Sequence, residues 1–140
     1  MTKTNEGATP STNRIIDANL NRLREGIRVV EDIYRYLFNN KEMASKLKQI
    51  RHKTRIENFH EILSARDIQS DVSKQTTATE KNRSDIFDVL IANFKRAQES
   101  ARVLEEVLKL ANTEDAQKFK EIRYELYDLE IEINNTSNSK

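Results

Sequence analysis

Ala18–Asp32 reads ANLNRLREGIRVVED and Ala92–Glu106 reads ANFKRAQESARVLEE. Seven of the fifteen positions are identical at a constant offset of 74 residues: Ala18/Ala92, Asn19/Asn93, Arg22/Arg96, Glu25/Glu99, Arg28/Arg102, Val29/Val103 and Glu31/Glu105. Average composition would give about one match. The likeness resumes downstream, where LKQIR ending at Arg51 answers FKEIR ending at Arg123. A duplicated helical hairpin follows, and it predicts an all-α chain: a four-helix bundle made of two repeated antiparallel helical hairpins, with approximate two-fold symmetry.

Outward from the repeat, apolar residues recur at helical spacing and nowhere alternate for long, which predicts helices over 14–38, 41–63, 85–111 and 114–133. The core seam of the first helix is Ile16, Leu20, Leu23, Ile27, Val30, Tyr34 and Leu37; its counterpart is Leu90, Phe94, Ala97, Ala101, Leu104, Leu108 and Ala111. Both are apolar stripes of the kind a bundle buries. Asn39 with Glu42 suits a capping box, Ser84 and Asp85 can cap the third helix, and Thr113 the fourth. The expected organisation is a flexible leader (1–13), one duplicated domain (14–133) and a tail (134–140). Within the domain, 14–63 is the first hairpin, 64–84 a crossover and 85–133 the second hairpin. A polar crossover of that length is usually functional or disordered. Here it carries Arg66, Asp67, Asp71, Glu80 and Arg83, which favours function.

Composition removes many function classes. A quarter of the chain is Leu, Ile, Val or Phe, above the roughly 20% typical of disorder. The 24 basic and 23 acidic residues nearly cancel, so no global field attracts nucleic acid or an anionic membrane. There is no cysteine, hence no disulfide or thiolate metal site, and the chain reads as cytoplasmic. No apolar run approaches the ~18 residues of a membrane span. With only Gly7 and Gly26, every glycine-rich phosphate loop is excluded, and 140 residues fall short of the roughly 250 of a (β/α)8 barrel. Glu57-x-x-His60 has di-iron spacing, but His52 and His60 are the only histidines, and a surface role fits them better.

A second seam lies beside the core one: Ile15, Asn19, Arg22, Gly26, Val29, Ile33, and in the other repeat Val89, Asn93, Arg96, Ser100, Val103, Val107. Its ends are apolar and its middle is Asn, Arg and a small residue, with Glu25 and Glu99 at the edge. A mid-helix glycine costs ~1 kcal/mol relative to alanine, so Gly26 marks a place where space is needed. Two readings stand: close helix packing with an internal Arg–Glu–Asn network, or a ligand cleft. Arg28, Arg102, Glu31 and Glu105 fit surface pairing within each helix or a subunit contact. The second helix is net +3 (six basic, three acidic, Lys41 to Leu63) and the fourth net −4 (three basic, seven acidic, Glu114 to Ile133), which fits complementary packing, in one chain or between two, better than a basic wall beside an anion site.

The string RIIDANLNRLREGIRVVEDIYRYL (Arg14–Leu37), with SARD (Ser64–Asp67), Asp71–Val72 and the Ala92–Glu106 block, resembles the small, strictly monofunctional hydroxymethylpyrimidine-phosphate kinases of thiamine biosynthesis. In many bacteria that domain is fused to the N-terminus of thiamine-phosphate synthase. The resemblance runs from about Arg14 to Glu130, with Ser73 where a glycine is expected. It implies phosphorylation of 4-amino-5-hydroxymethyl-2-methylpyrimidine phosphate to the diphosphate, with ATP and Mg2+. The matching positions are Asp17, Asn19, Arg22, Glu25, Arg28, Glu31, Arg66, Asp67, Asp71, Glu80, Arg83, Asn93, Arg96, Glu99, Arg102, Glu105 and Glu106. Among them, Arg22, Arg96, Glu25 and Glu99 are the candidate catalytic residues. Asn19, Gly26, Asn93, Arg66 and Arg83 are candidates for substrate binding, and Asp67 and Asp71 for the metal. The expected partners are a pyrimidine phosphate and a nucleotide, with no nucleic acid and no membrane. A functional link to thiamine-phosphate synthase and a homo-oligomer with the cleft between subunits are left open. A non-catalytic helical module docking on that synthase is the competing function.

Overall fold

The computed structural model describes residues 9–73 and 85–138, and among them it is all-helical, without a strand. The order is α1 (Pro10–Asp32), continued by a π-helical turn (Ile33–Leu37), α2 (Lys41–His52), α3 (Phe59–Leu63), α4 (Ile86–Leu108) and α5 (Thr113–Asn138). α1 and α4 form the spine. α2 and α3 pack on α1, α5 packs on α4, and α2 touches α5 only along a short stretch. The last contact joins the basic and acidic helices through Lys53 and Glu125 at 2.6 Å.

Both core seams are buried, from Ile16 to Tyr34 and from Leu90 to Ala111. Leu37 is the exception at 59% exposed. The π-turn widens the last turn of the first helix, closed by Phe38 N–H donating to the Ile33 carbonyl (3.2 Å), and so advances the phase by one residue. Phe38 then replaces Leu37, with its ring 5.4 Å from Tyr34 and stacked 5.9 Å from Phe87. The same shift moves the cap of α2. Asn39 takes a left-handed conformation (φ 51°), which asparagine tolerates, and Asn40 caps by accepting from Met43 N–H at 3.0 Å.

Other boundaries differ from the sequence expectation. α1 starts at Pro10 inside the expected leader, because Thr9 caps Thr12 N–H and proline suits the first helical position. The expected helix 41–63 breaks between Lys53 and Asn58, where the Thr54 hydroxyl donates back to the Arg51 carbonyl at 2.7 Å. α4 stops at Leu108, and Asn112, not Thr113, caps α5 by accepting from Glu114 and Asp115 N–H. α5 runs through the expected tail to Asn138. Residues 1–8 of the leader, 74–84 of the crossover (with Glu80 and Arg83), and Ser139 and Lys140 lie outside the described residues.

Each hairpin is pinned by a buried ion pair at equivalent places. Arg51 donates to Glu31 (Nε 2.9 Å, Nη2 3.3 Å), and Arg123 to Glu105 (Nε 3.2 Å, Nη2 2.8 Å). Glu31 and Glu105 are 4% and 7% exposed, so they bridge helices rather than pair along their own. Arg28 and Arg102 do pair along theirs, with Asp32 and Glu106. Tyr127 and Glu105 accept from Arg123 and raise its pKa further, so it stays charged in place.

Candidate functional site

Gly26 sits where α1 crosses α4. A Cβ there would lie 3.1 Å from the Asn93 carbonyl oxygen and 3.4 Å from the Ala97 Cβ. The space that glycine leaves is therefore filled by the neighbouring helix and not by a ring of a ligand. Asn19 and Asn93 each donate from Nδ2 to the carbonyl four residues upstream, Ile15 (2.9 Å) and Val89 (2.8 Å). One amide hydrogen of each of these substrate-binding candidates is thus committed within its own helix.

A cleft does open on one side of the spine. It measures about 740 Å3 and lies between the N-terminal half of α1 and the segment leaving α3, with Val103 of α4 in its wall. Ile15, Asn19 and Arg22 reach it from the second seam of α1, and Arg66, Asp67, Ile68 and Asp71 from the crossover. Four polar α1 residues outside the candidate set, Ser11, Arg14, Asp17 and Asn21, also line it.

The crossover reaches the cleft because local hydrogen bonds turn it there. Ser64 Oγ donates to the Glu61 carbonyl at the end of α3, and Arg66 N–H donates to the Leu63 carbonyl. Asp67 and Asp71 then fold the segment by accepting from Ser70 and Ser73 N–H at 3.0 and 2.9 Å. Arg66 holds it onto α1 with two parallel bonds to Asp17, Nε to Oδ2 and Nη2 to Oδ1, both 2.8 Å. Arg14 adds a longer bond to the Asp67 carbonyl at 3.4 Å. Asp17 is 4% exposed, whereas 40% of the Arg66 side chain remains accessible. The guanidinium is thus fixed on one edge and open on the other, with Nη1 free of the Asp17 contact.

Electrostatics follow from this arrangement. The hydrogen bonds to Asp17, together with the charges of Asp17 and Glu25, raise the Arg66 pKa against a smaller loss from burial. Backbone and side-chain hydrogen bonds from Ser70, helped by Arg14, hold the Asp67 carboxyl below its usual range. The cleft therefore presents three guanidinium groups (Arg14, Arg22, Arg66) beside the carboxylates Asp67 and Asp71, with Ile15, Ile68 and Val103 as apolar walls. Two carboxylates plus phosphate oxygens suit Mg2+, which keeps several waters and takes few protein ligands. Glu25 is exposed at the margin, close enough to act on Arg66, while Arg96 and Glu99 are exposed on α4 and form no part of this lining.

Asp17, which anchors Arg66, lies outside the candidate residues read from the sequence. Its signal is a mismatch: position 91, its counterpart at the offset of 74, is an isoleucine that is 42% exposed.

The model of the ThiD2 family matches residues 14–132. The thiamine-phosphate synthase of Nostoc punctiforme is 41% identical over 121 residues, covering 86% of this chain and 34% of that protein. That of Synechocystis sp. is 42% identical over 118 residues (84% and 34%), and that of Rhodopirellula baltica 36% over 119 (81% and 32%). The chain thus spans about a third of the length of these relatives. No solved structure matches it. With the match running from α1 into α5 and taking in both the cleft and the paired hairpins, the chain belongs to the ThiD2 family.

Proposed function

We propose that this chain uses ATP and Mg2+ to phosphorylate 4-amino-5-hydroxymethyl-2-methylpyrimidine phosphate at the cleft between α1 and the crossover. The acceptor is a phosphate monoester, whose second pKa near 6 leaves its oxygens largely ionised at neutral pH. Such a nucleophile needs no general base. The bond from the γ-phosphorus to the β-bridging oxygen breaks, a bond to the acceptor oxygen forms, and ADP and the diphosphate leave. Catalysis then reduces to positioning and charge neutralisation.

The observation that carries this reading is the convergence of Arg14, Arg22 and Arg66 with Asp67 and Asp71 around one 740 Å3 opening. Arg22 and the free edge of Arg66 clamp phosphate oxygens, and Asp17 keeps Arg66 aimed. Asp67 and Asp71 would hold Mg2+, which would supply positive charge against that of the phosphates. Ile15, Ile68 and Val103 offer the apolar surface a pyrimidine ring requires.

Purified protein given the pyrimidine monophosphate, ATP and Mg2+ should release ADP and the diphosphate in equal amounts, read by 31P NMR. Absence of both products overturns the assignment. The competing reading is a non-catalytic module that docks on thiamine-phosphate synthase, favoured by relatives of that name that are about two and a half times as long. The module would show no thermal shift with nucleotide or pyrimidine phosphate.

A further inference from the structure

At the far end of α1 from the cleft, the tip of the first hairpin gathers three cations. Arg35 lies in the π-turn, Lys41 is the first residue of α2, and Lys48 stands two turns along it. With Glu31, Asn39 and Ser45 they line a cavity of about 430 Å3, inside the range of small-molecule sites. Among the described residues none of the three forms an ion pair. Both oxygens of Glu31, the carboxylate in the lining, are held by Arg51 at 2.9 and 3.3 Å.

The second hairpin serves as an internal control. Lys109 stands 74 residues after Arg35 and is neutralised there by Glu106 at 3.0 Å. α5 opens with Glu114 and Asp115, which complement the positive end of a helix dipole. α2 opens with Lys41 instead, beside two more cations, and only Glu42 in its first turn opposes them, itself 3.1 Å from Lys46. Asn40 satisfies the Met43 amide, while the earlier amides of α2 have no intrahelical acceptor and add positive potential to the same place. The tip thus concentrates uncompensated positive charge around a concavity, where its duplicate balances the charge from within.

We propose that this cavity is a second anion site that takes a small phosphate-bearing molecule, a monoester or a diphosphate, through Arg35, Lys41 and Lys48. It is independent of the reaction proposed above. From Arg22 to Arg35 the helix rises by about 20 Å, too far for one ligand to bridge both places. Occupancy ties the end of the first helix to the start of α2 and so stabilises the joint of the first hairpin.

The test is a titration of inorganic pyrophosphate into the uniformly 15N-labelled full chain at constant ionic strength, read residue by residue. Saturable shifts at Arg35 and across Asn39–Lys48 are expected. The double substitution Lys41→Gln with Lys48→Gln should weaken that site by about ten-fold or more, as loss of two charge-assisted contacts requires. Both lysines are exposed, so the fold should hold; Arg35→Gln is the second variant, with the same expected loss. Asp17→Asn should leave affinity at the tip within about two-fold, which separates this site from failure at the cleft. Shifts confined to the cleft, or linear shifts that chloride reproduces at equal ionic strength, overturn the proposal. So does a dimer in sedimentation that the double variant abolishes, since an acidic face of a second copy would then be the occupant.

Discussion

Asp17→Asn tests whether the crossover is held over the cleft by one ion pair. The substitution keeps the shape of the side chain, removes its charge, and sets an amide NH2 against one of the two Arg66 donors now 2.8 Å away. A hydrogen bond to a charged group is worth about 1.5–3 kcal/mol net. The Arg66 side chain is 40% exposed and can re-solvate, so the lower part of that range applies, about 2 kcal/mol for the pair. That corresponds to about a 30-fold fall in the ratio of docked to undocked crossover. Hydrogen exchange reads this directly. The amides of Arg66, Ser70 and Ser73, all bonded within the docked segment, should exchange about 30-fold faster. Amides at Ala101 and Leu104 in the α4 core should change little. Phosphoryl transfer should fall at least in proportion to the docked population when undocking is appreciable, with a larger effect on KM than on kcat. Unchanged exchange in the crossover would refute the latch; equal acceleration everywhere would show that Asp17 supports the whole fold instead.

Four further outcomes follow from the geometry. Arg22→Ala, at the cleft, should reduce kcat/KM for phosphoryl transfer by about 100-fold or more, while Arg96→Ala, on the outer face of α4, should stay within a few-fold; helical circular dichroism checks both folds. Gly26→Val should destabilise by about 2 kcal/mol in urea titration, because overpacking against helical backbone costs about 1–3 kcal/mol and outweighs any gain in helix propensity; a more stable variant would sink the close-crossing account. Glu105→Gln should cost about 3–5 kcal/mol, since Arg123 stays charged and is only 8% exposed, with Glu31→Gln milder because Arg51 is 15% exposed. Asp67→Asn and Asp71→Asn should each raise the Mg2+ concentration needed for half-maximal turnover by about ten-fold, without altering the melting temperature of the metal-free protein.

Much of the architecture was legible from periodicity because the duplicated helices bury what their spacing says they bury. Leu37 and the cap at Asn39 failed together, and for one cause. A π-turn inserts a residue into the helical phase, and nothing in IYRYLFNN announces it. The break at Thr54 was equally silent, since neither glycine nor proline marks it. The ion pairs of the hairpins were visible in pieces: Glu31 and Glu105 in one block, Arg51 and Arg123 in the other. Joining them needed the packing angle of two helices, which spacing along one helix does not carry. At the site, Arg22, Arg66, Asp67 and Asp71 converge on one opening, while Gly26, Arg96 and Glu99 do not line it. Identity between repeats marks the hairpin pins at Glu31 and Glu105, and it also covers Asn19 and Arg22, which line the cleft, with Asn93 and Arg96, which do not. What sets the two faces apart is a position that the copies do not share, Asp17 against Ile91.

That contrast separates the two faces of the spine among the described residues. α1 and α4 run antiparallel: Gly26 meets Asn93 and Ala97, while Val103 lies with Asn19 and Arg22. A symmetric twin of the cleft would therefore centre on Asn93 and Arg96 with Val29 in its wall. The twin lacks a latch, because position 91 is Ile where α1 has Asp17, and position 88 is Asp where α1 has Arg14. Among the described residues it also lacks a cover. The chain after α2 turns through α3 and returns across α1, whereas the corresponding chain continues as helix to Asn138. At 42% exposure a carboxylate at position 91 would reach water and not a guanidinium, so it would latch nothing on the twin face. Divergence of position 91 from position 17, and of the chain after α2 from α5, thus separates the two faces of the duplicated scaffold. The swap Ile91→Asp should then change stability by no more than about 0.5 kcal/mol and create no second binding event, measurable as an unchanged stoichiometry in a calorimetric titration with nucleotide; a second equivalent bound would show that the twin face needed only the carboxylate.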